Sequence, residues 1–271
     1  MLRYLLMVAM CLLLGAGYVS AEEWVQERPG QKAYYDSNGK LVRVLLDTDN
    51  DKRFETEERY AGRRISRKED RDGDGVWERN FTWAKDGSAR LVEDRGRGPI
   101  QTSWFDPRGA TVKVEKDKNR DGRAEITWYY EQGRLSKVVK PRGTWLYRNG
   151  QMAEAVLDTD RDGRVDRKEY YRQGCLSRAE ELRPSGKVRC LWTFDKAGKP
   201  LRAEEDIDGD GRREVTRAYR KDGSVSLTVD ADGNGTPEIR ENYSAKGRMV
   251  SREEDLDGDG IYDLRTGRVK E

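Results

Sequence analysis

Histidine is absent from all 271 residues, so the commonest general base and the commonest transition-metal ligand are both missing. Serine hydrolases with a histidine base and histidine zinc sites are thereby excluded. Cysteine is scarce: after Cys11 only Cys175 and Cys190 remain. Apolar residues are few as well, 35% against 38% charged, and beyond residue 21 no run is apolar enough to cross a bilayer. Neither sign of charge dominates. The 53 Lys and Arg and the 51 Asp and Glu are interleaved throughout, which disfavours a nucleic-acid partner.

The one strongly apolar stretch is at the start. MLRYLLMVAMCLLLGAGYVSA has a positive charge at Arg3, an apolar run from Tyr4 to Leu14 and small residues around Val19, Ser20 and Ala21. This pattern predicts a signal peptide over 1–21, and so a mature chain that is secreted, periplasmic or on the cell surface, with no membrane span. Residues 22–32 are expected to be an N-terminal lead-in, and 33–271 a β-hairpin repeat domain.

The repeat is visible in the glycine turns. Gly39, Gly62, Gly87, Gly109, Gly133, Gly150, Gly174, Gly198, Gly223 and Gly247 are 22 to 25 residues apart, with one interval of 17. An aromatic residue precedes each by a few positions: Tyr35, Tyr60, Trp83, Phe105, Tyr130, Tyr147, Tyr171, Phe194, Tyr219 and Tyr243. The intervening segments are short and alternate: Val225, Leu227 and Val229 share one parity, as do Ile126, Trp128 and Tyr130. Period two over about six residues marks a strand with one buried face. The expected fold is all-β: a repetitive antiparallel meander of about ten two-stranded repeats of about 24 residues, extended or coiled. Glycine turns would lie along one edge and acidic loops along the other. The aromatic row, with Trp77, Trp83, Trp128 and Tyr130, serves as core or as a sugar- or protein-binding face; its recurrence at one repeat position favours core.

Seven loops at the second edge carry acids at fixed positions. Positions 1, 3, 5 and 9 are Asp70, Asp72, Asp74 and Glu78; Asp117, Asn119, Asp121 and Glu125; Asp158, Asp160, Asp162 and Asp166; Asp206, Asp208, Asp210 and Glu214; Asp230, Asp232, Asn234 and Glu238; and Asp255, Asp257, Asp259 and Asp263. The first loop, with Asp47, Asp49, Asp51 and Glu55, is expected to be the weakest, because Lys52 stands where the others have glycine at position 6. Calcium takes six to eight oxygen ligands, and side chains at alternate positions of a tight loop converge on one point. Several Ca2+ ions are therefore the expected cofactors. Asx-turns alone would account for one or two acids per loop, but not for four recurring in seven loops.

The loop DTDRDGRVDRKE (158–169) also fits an EF-hand pattern, with Glu169 at position 12. Glu58 and Glu241 are its counterparts, whereas four loops have Phe81, Trp128, Arg217 and Thr266 there. Only seven residues separate Gly150 from Asp158 and four separate Glu169 from Gly174, too few for flanking helices. The three glutamates are expected to be repeat drift, and the loops to sit between strands. Three repeats have lost the acids, at 94–101, 140–145 and 181–189, yet keep turn glycine or proline. From the strand register, Cys175 and Cys190 are expected to be roughly 15 Å apart and unbonded.

YYDSNGKLVRVLLDTD (34–49) and TVDADGNGTPEIRENYSAKGRMVSREEDLDGDG (228–260) resemble the tyrosine-aspartate, or RHS-type, repeats of bacterial secreted and surface proteins, and are similar to the MORN-variant hairpin repeats of toxin-system antitoxins. The resemblance implies an extended β strip for display, binding or encapsulation. The DxDxDG loops depart from those families. The function expected is a secreted calcium-stabilised structural or binding module, not an enzyme, with a protein or glycan partner at the cell surface. The alternatives are a glycan hydrolase using paired carboxylates, and a metal-free repeat scaffold.

Overall fold

The computed structural model describes residue 22 and residues 24–267, so the expected signal peptide lies outside the described residues. Among the described residues there are 22 strands and no helix. They fall into two compact units. The first runs to Thr111 and includes Lys118–Asp121; the second comprises Val112–Asp117 and the chain from Gly122 onward.

In the first unit, β1 (Trp24–Arg28), β2 (Gln31–Tyr35), β3 (Leu41–Leu46), β4 (Thr56–Tyr60), β5 (Arg64–Glu69), β6 (Arg79–Trp83), β7 (Ala89–Glu93) and β8 (Ile100–Phe105) pair antiparallel in chain order. The span expected to be a lead-in thus contributes β1 and the start of β2. The second unit continues in the same manner with β9 (Thr111–Asp117), β10 (Ile126–Glu131), β11 (Arg134–Lys140), β12 (Gly143–Arg148), β13 (Gln151–Leu157), β14 (Arg167–Arg172) and β15 (Cys175–Leu182). It ends with β16 (Val188–Phe194), β17 (Pro200–Glu205), β18 (Val215–Tyr219), β19 (Val225–Val229), β20 (Ile239–Tyr243), β21 (Met249–Glu254) and β22 (Leu264–Gly267). The expected meander is the observed one. Because successive strands reverse, glycine turns and acidic loops alternate between the two edges of each unit.

The glycine turns have local causes. Asn149–Gly150, Gln132–Gly133 and Gln173–Gly174 have positive φ at both central residues, the two-residue hairpin geometry whose twist matches the strands. The Asp36–Lys40 turn is longer. Gly39 N–H donates to the Asp36 carbonyl, and Asp36 Oδ1 accepts from Asn38 and Lys40. At seven of the turns the register slips by one residue at the aromatic or just before it, as between Tyr34 and Tyr35 or Tyr170 and Tyr171.

The core centres on one cross-strand row in each unit, with Val42, Cys190 and Val215 buried beside it. In the first unit the register runs Ala33, Val44, Glu58, Arg67, Phe81, Leu91, Ser103 on a single face. In the second it runs Trp128, Val138, Trp145, Ala155, Glu169, Ala179, Trp192, Ala203, Arg217, Leu227, Glu241. Large and small side chains alternate in the second row, and Ala155, Ala179 and Ala203 are 0% exposed beneath their neighbours. No large side chain is fully buried. The aromatic residues that precede the turns are all half-buried. They form a lid over this row: Trp192 stacks on Phe194 and Tyr219 at 6.4 and 6.0 Å, and Phe81 on Trp83 at 5.7 Å.

Cys175 is exposed at the start of β15 and Cys190 is buried in β16, both as free thiols, as the register predicts. Burial pushes the Cys190 thiol up to about 11, reinforced by Glu181 and Glu205 on either side.

Two outcomes are expected. Ala203→Leu, forced between Trp192 and Arg217, should cost about 1–3 kcal/mol in urea unfolding, whereas Leu201→Ala, at an exposed position of the same strand, should cost under about 0.5. A small alkylating reagent near neutral pH should label Cys175 in the folded protein and Cys190 only after denaturation; equal labelling rates would contradict the burial of Cys190.

Candidate metal centres

All seven acidic loops close on one hydrogen-bond scheme. The aspartate at position 1 clamps the backbone: Asp70 Oδ1 accepts from Gly73 N–H and Oδ2 from Gly75 N–H, each at 2.8 Å. Asp47, Asp158, Asp206 and Asp255 accept from positions 4 and 6 in the same way, and Asp117 and Asp230 from position 6. Position 3 accepts from the N–H of position 5, as in Asp72 with Asp74 and Asn119 with Asp121. Position 5 accepts from position 7, as in Asp210 with Arg212 and Asp259 with Ile261. The position 9 carboxylate reaches back to the N–H of position 2: Glu78 to Arg71 at 2.6 Å, Glu214 to Ile207, Glu238 to Ala231 and Asp263 to Leu256. These are Asx-turns nested within one loop. At positions 3, 5 and 9 most carboxylates commit one oxygen to the backbone and leave the other open to a cation; Asp166 commits both, accepting from Thr159 and Asp160 N–H.

The scheme needs a left-handed backbone at two places. Position 6 was legible as glycine, but position 4 has positive φ in every loop as well: Asn50, Gly73, Arg120, Arg161, Gly209, Gly233 and Gly258. Lys52 adopts φ 74° at position 6 of the first loop, so that loop closes as the others do, without the glycine.

The carboxylates converge. Asp47, Asp49, Asp51 and Glu55 bring one oxygen each within 4.8 Å of one another, as do Asp70, Asp72, Asp74 and Glu78, and Asp206, Asp208, Asp210 and Glu214. In the loop 158–166 the group is Asp158, Asp160 and Asp166, with Asp162 outside it. Asp230, Asp232 and Glu238 form another, and Asn234 donates its amide to Asp232 at 2.8 Å. Loop 255–263, with Asp255, Asp257, Asp259 and Asp263, repeats the hydrogen bonds. Loop 117–125 is divided between the units, Asp117 and Glu125 in one and Asn119 and Asp121 in the other. The converging clusters in loops 47–55, 70–78, 158–166, 206–214 and 230–238 are suited to a divalent cation by charge and by their oxygen donors.

Two carboxylates carry a sharper signal. Glu55 is 8% exposed; its Oε2 accepts from Thr48 N–H at 2.9 Å, while Oε1 is buried with no hydrogen-bond partner. Asp230 Oδ1 is likewise buried and unpartnered. An unsatisfied buried anionic oxygen costs several kcal/mol in principle unless a cation meets it. Burial raises Asp166, but hydrogen bonds from the Thr159 hydroxyl and from Thr159 and Asp160 N–H bring its carboxyl below the usual aspartate range.

The glutamates at position 12 are not repeat drift. Glu58, Glu169 and Glu241 lie in the buried row, each under a tyrosine two residues on. Tyr60 donates to Glu58 at 2.5 Å, Tyr171 to Glu169 at 2.6 Å, and Tyr243 to Glu241. Arg64 and Arg67, Arg167, and Arg252 complete these ion pairs. Glu58 is pulled below the usual carboxylate range, against its own burial, by Tyr60 and Arg64. The spacing Glu-x-Tyr was the available signal: it occurs at 58–60, 169–171 and 241–243.

The loops that lack acids still form hairpins, at β7–β8, β11–β12 and β15–β16. One of them lends cations to its neighbour. Arg183 donates to the carbonyls of Asp206 and, at 2.9 Å, Ile207; Lys187 Nζ donates to the Gly209 carbonyl at 3.1 Å. Between acidic loops Arg53 does the same to Gly73 O at 3.2 Å.

Burial, then Glu58, raise the Tyr60 phenol to about 12. A raised folded-state pKa means that this contribution is intact below the unfolded value of about 10 and is lost as pH rises through about 12. Ultraviolet titration should show one phenol ionising near pH 12 that Tyr60→Phe removes, with stability falling between about pH 10 and 12 less steeply in the variant. Ionisation of every tyrosine near pH 10 would refute the buried pair.

No family model and no curated protein matches this chain. Solved structures similar to it include S. aureus TarM, a mutant in complex with fondaparinux, alpha-GlcNAc-glycerol and UDP (10% identity, 49% of this chain and 20% of that one, TM-score 0.21). Another is TcdB2-TccC3 (11% identity, 90% of this chain and 16% of that one, TM-score 0.25). A third is a porin-like protein from Bacteroides uniformis (11% identity, 89% and 90%, TM-score 0.14). The chain spans a fifth or less of the first two. At these scores a common fold is not defined, and the functional reading rests on the loops' own chemistry.

Proposed function

We propose that this chain is a secreted or cell-surface repeat protein that binds several calcium ions in its DxDxDG loops and acts as a structural or binding module, of the tyrosine-aspartate and MORN-variant kind, for a protein or glycan at the cell surface. The observation that carries the metal reading is Glu55 Oε1, a buried unpartnered carboxylate oxygen on a side chain that converges with Asp47, Asp49 and Asp51. A divalent cation satisfies that oxygen and neutralises the crowded charge. Calcium fits better than zinc or copper, since the donors are all oxygen and no histidine exists. Magnesium demands a tighter octahedral shell than nested flexible turns supply.

An enzymatic role has less support. The strand carboxylates Glu58, Glu69, Glu169, Glu181, Glu205 and Glu241 are tied up in arginine pairs, and the loop carboxylates in backbone bonds. The hairpins of the acid-free loops support a division of labour in which turns hold the fold and ions stiffen it. Weak extracellular affinities of about 0.1–1 mM suffice for such a role.

Calorimetric titration with calcium, paired with thermal unfolding in calcium and in chelator, tests this. Several ions should bind, each adding about 1.4 kcal/mol when free calcium is about ten times its Kd. Glu55→Gln and Asp160→Ala should each delete one ion, and changes at Arg95 and Gly96 none. No binding at about 5–10 mM calcium would refute the proposal.

A further inference from the structure

The loop 70–78 differs from its siblings at position 2. Arg71 stands where the others have Thr48, Lys118, Thr159, Ile207, Ala231 and Leu256. It borders a cleft of about 380 Å³ between this loop and the acid-free turn that follows β7, lined by Arg71, Asp72, Glu78, Arg79, Glu93 and Arg95. That volume is within the roughly 300–1,000 Å³ range of small-molecule sites.

Three guanidiniums meet there, and they are not equally engaged. Arg79 donates through Nη1 to Glu69 Oε2 at 3.0 Å and lies over the Phe81 ring, while its Nε, ion-paired with Glu93 Oε1 at 3.3 Å, is buried without a hydrogen bond. The Arg71 and Arg95 guanidiniums have no ion-pair partner among the described residues, and both are exposed. A buried N–H without an acceptor is costly, and an oxyanion is the ligand that satisfies a guanidinium best.

Charge decides when such a ligand can enter. The cluster of Asp70, Asp72, Asp74 and Glu78, with Glu93 and with Glu69 on Arg79, sets six carboxylates against Arg71, Arg79, Arg95 and Glu69's second partner Arg67, an excess of two negative charges. One divalent cation in the cluster cancels it. From this geometry we infer that the cleft is a calcium-dependent oxyanion site, which takes the carboxylate or sulfate group of a small acidic sugar on Arg71, Arg79 and Arg95. The inference rests on the metal reading of the same loop. It gives the module a ligand class and makes recognition conditional on the ion. By linkage the anion must tighten calcium at this loop by the factor by which calcium tightens the anion.

The loop supplies its own reporter, since Trp77 is its position 8 and no other acidic loop has a tryptophan there. Terbium luminescence excited through tryptophan, taken as the difference from Trp77→Phe, isolates this site, and its displacement by calcium gives the calcium affinity. The full chain is titrated at equal ionic strength in sodium chloride, sodium sulfate and sodium glucuronate. Calcium affinity is expected to rise about five-fold or more in sulfate or glucuronate, the two arms telling which oxyanion is preferred. Arg71→Ala and Arg95→Ala should each abolish the rise while calcium still binds in chloride. Equal affinity in all three salts, or an undiminished rise in both variants, overturns the cleft and leaves the metal reading intact. A Trp77-dependent signal that never develops overturns the metal reading instead.

Discussion

A strand of four to eight residues, pleated, with loops at both ends, can bury little more than the middle of one face. That constraint governs the whole molecule. With little more than one buried row, the sheet does not fill it with large apolar side chains, because nothing packs above them. It alternates alanine with tryptophan, glutamate and arginine, so that each large side chain folds over the small one beside it. The stems of Arg67, Arg217 and Arg252 do apolar work while their heads pair with Glu58, Glu205 and Glu241. The high charge content and low hydrophobicity are the composition such a row requires.

The loops answer the same constraint at the edge. A tight reversal leaves backbone N–H groups without strand partners, and each must find an acceptor. Position 1 serves two of them, and positions 3, 5 and 9 one each. The acids are thus structural in their own right, and their remaining oxygens are left to converge. This reconciles the two readings of the loop pattern: the carboxylates that close the Asx-turns are the ones whose oxygens converge as groups that could hold a metal ion.

What could be read from the sequence was whatever is local in it. The turn glycines, the period-two strands and the acids at 1, 3, 5 and 9 are spaced by the geometry of a single hairpin, and all reappear in the fold. What could not be read was set across strands. Ala155, Ala179 and Ala203 look unremarkable in sequence, and only the register shows them opposite Trp145, Glu169 and Trp192. Glu58 resembled a stray loop ligand because its partner, Arg67, lies on the next strand. The strand Trp24–Arg28 was missed because it carries no alternating burial: every residue is exposed. That the first loop closes without glycine at position 6 could not be read either, because the five hydrogen bonds that hold Lys52 and its neighbours in place are visible only in the fold.

Among the described residues, within each unit, each strand touches only the strands before and after it in the chain. Such a molecule has no keystone. Its stability is a sum of hairpins and nearest-neighbour seams, so damage to one repeat stays local and opening can start at either end without unzipping the middle. The loss of acids from three loops is tolerated for the same reason. In a chain built this way, the number of acidic loops and the number of strands are independent quantities: one can drift while the other is kept.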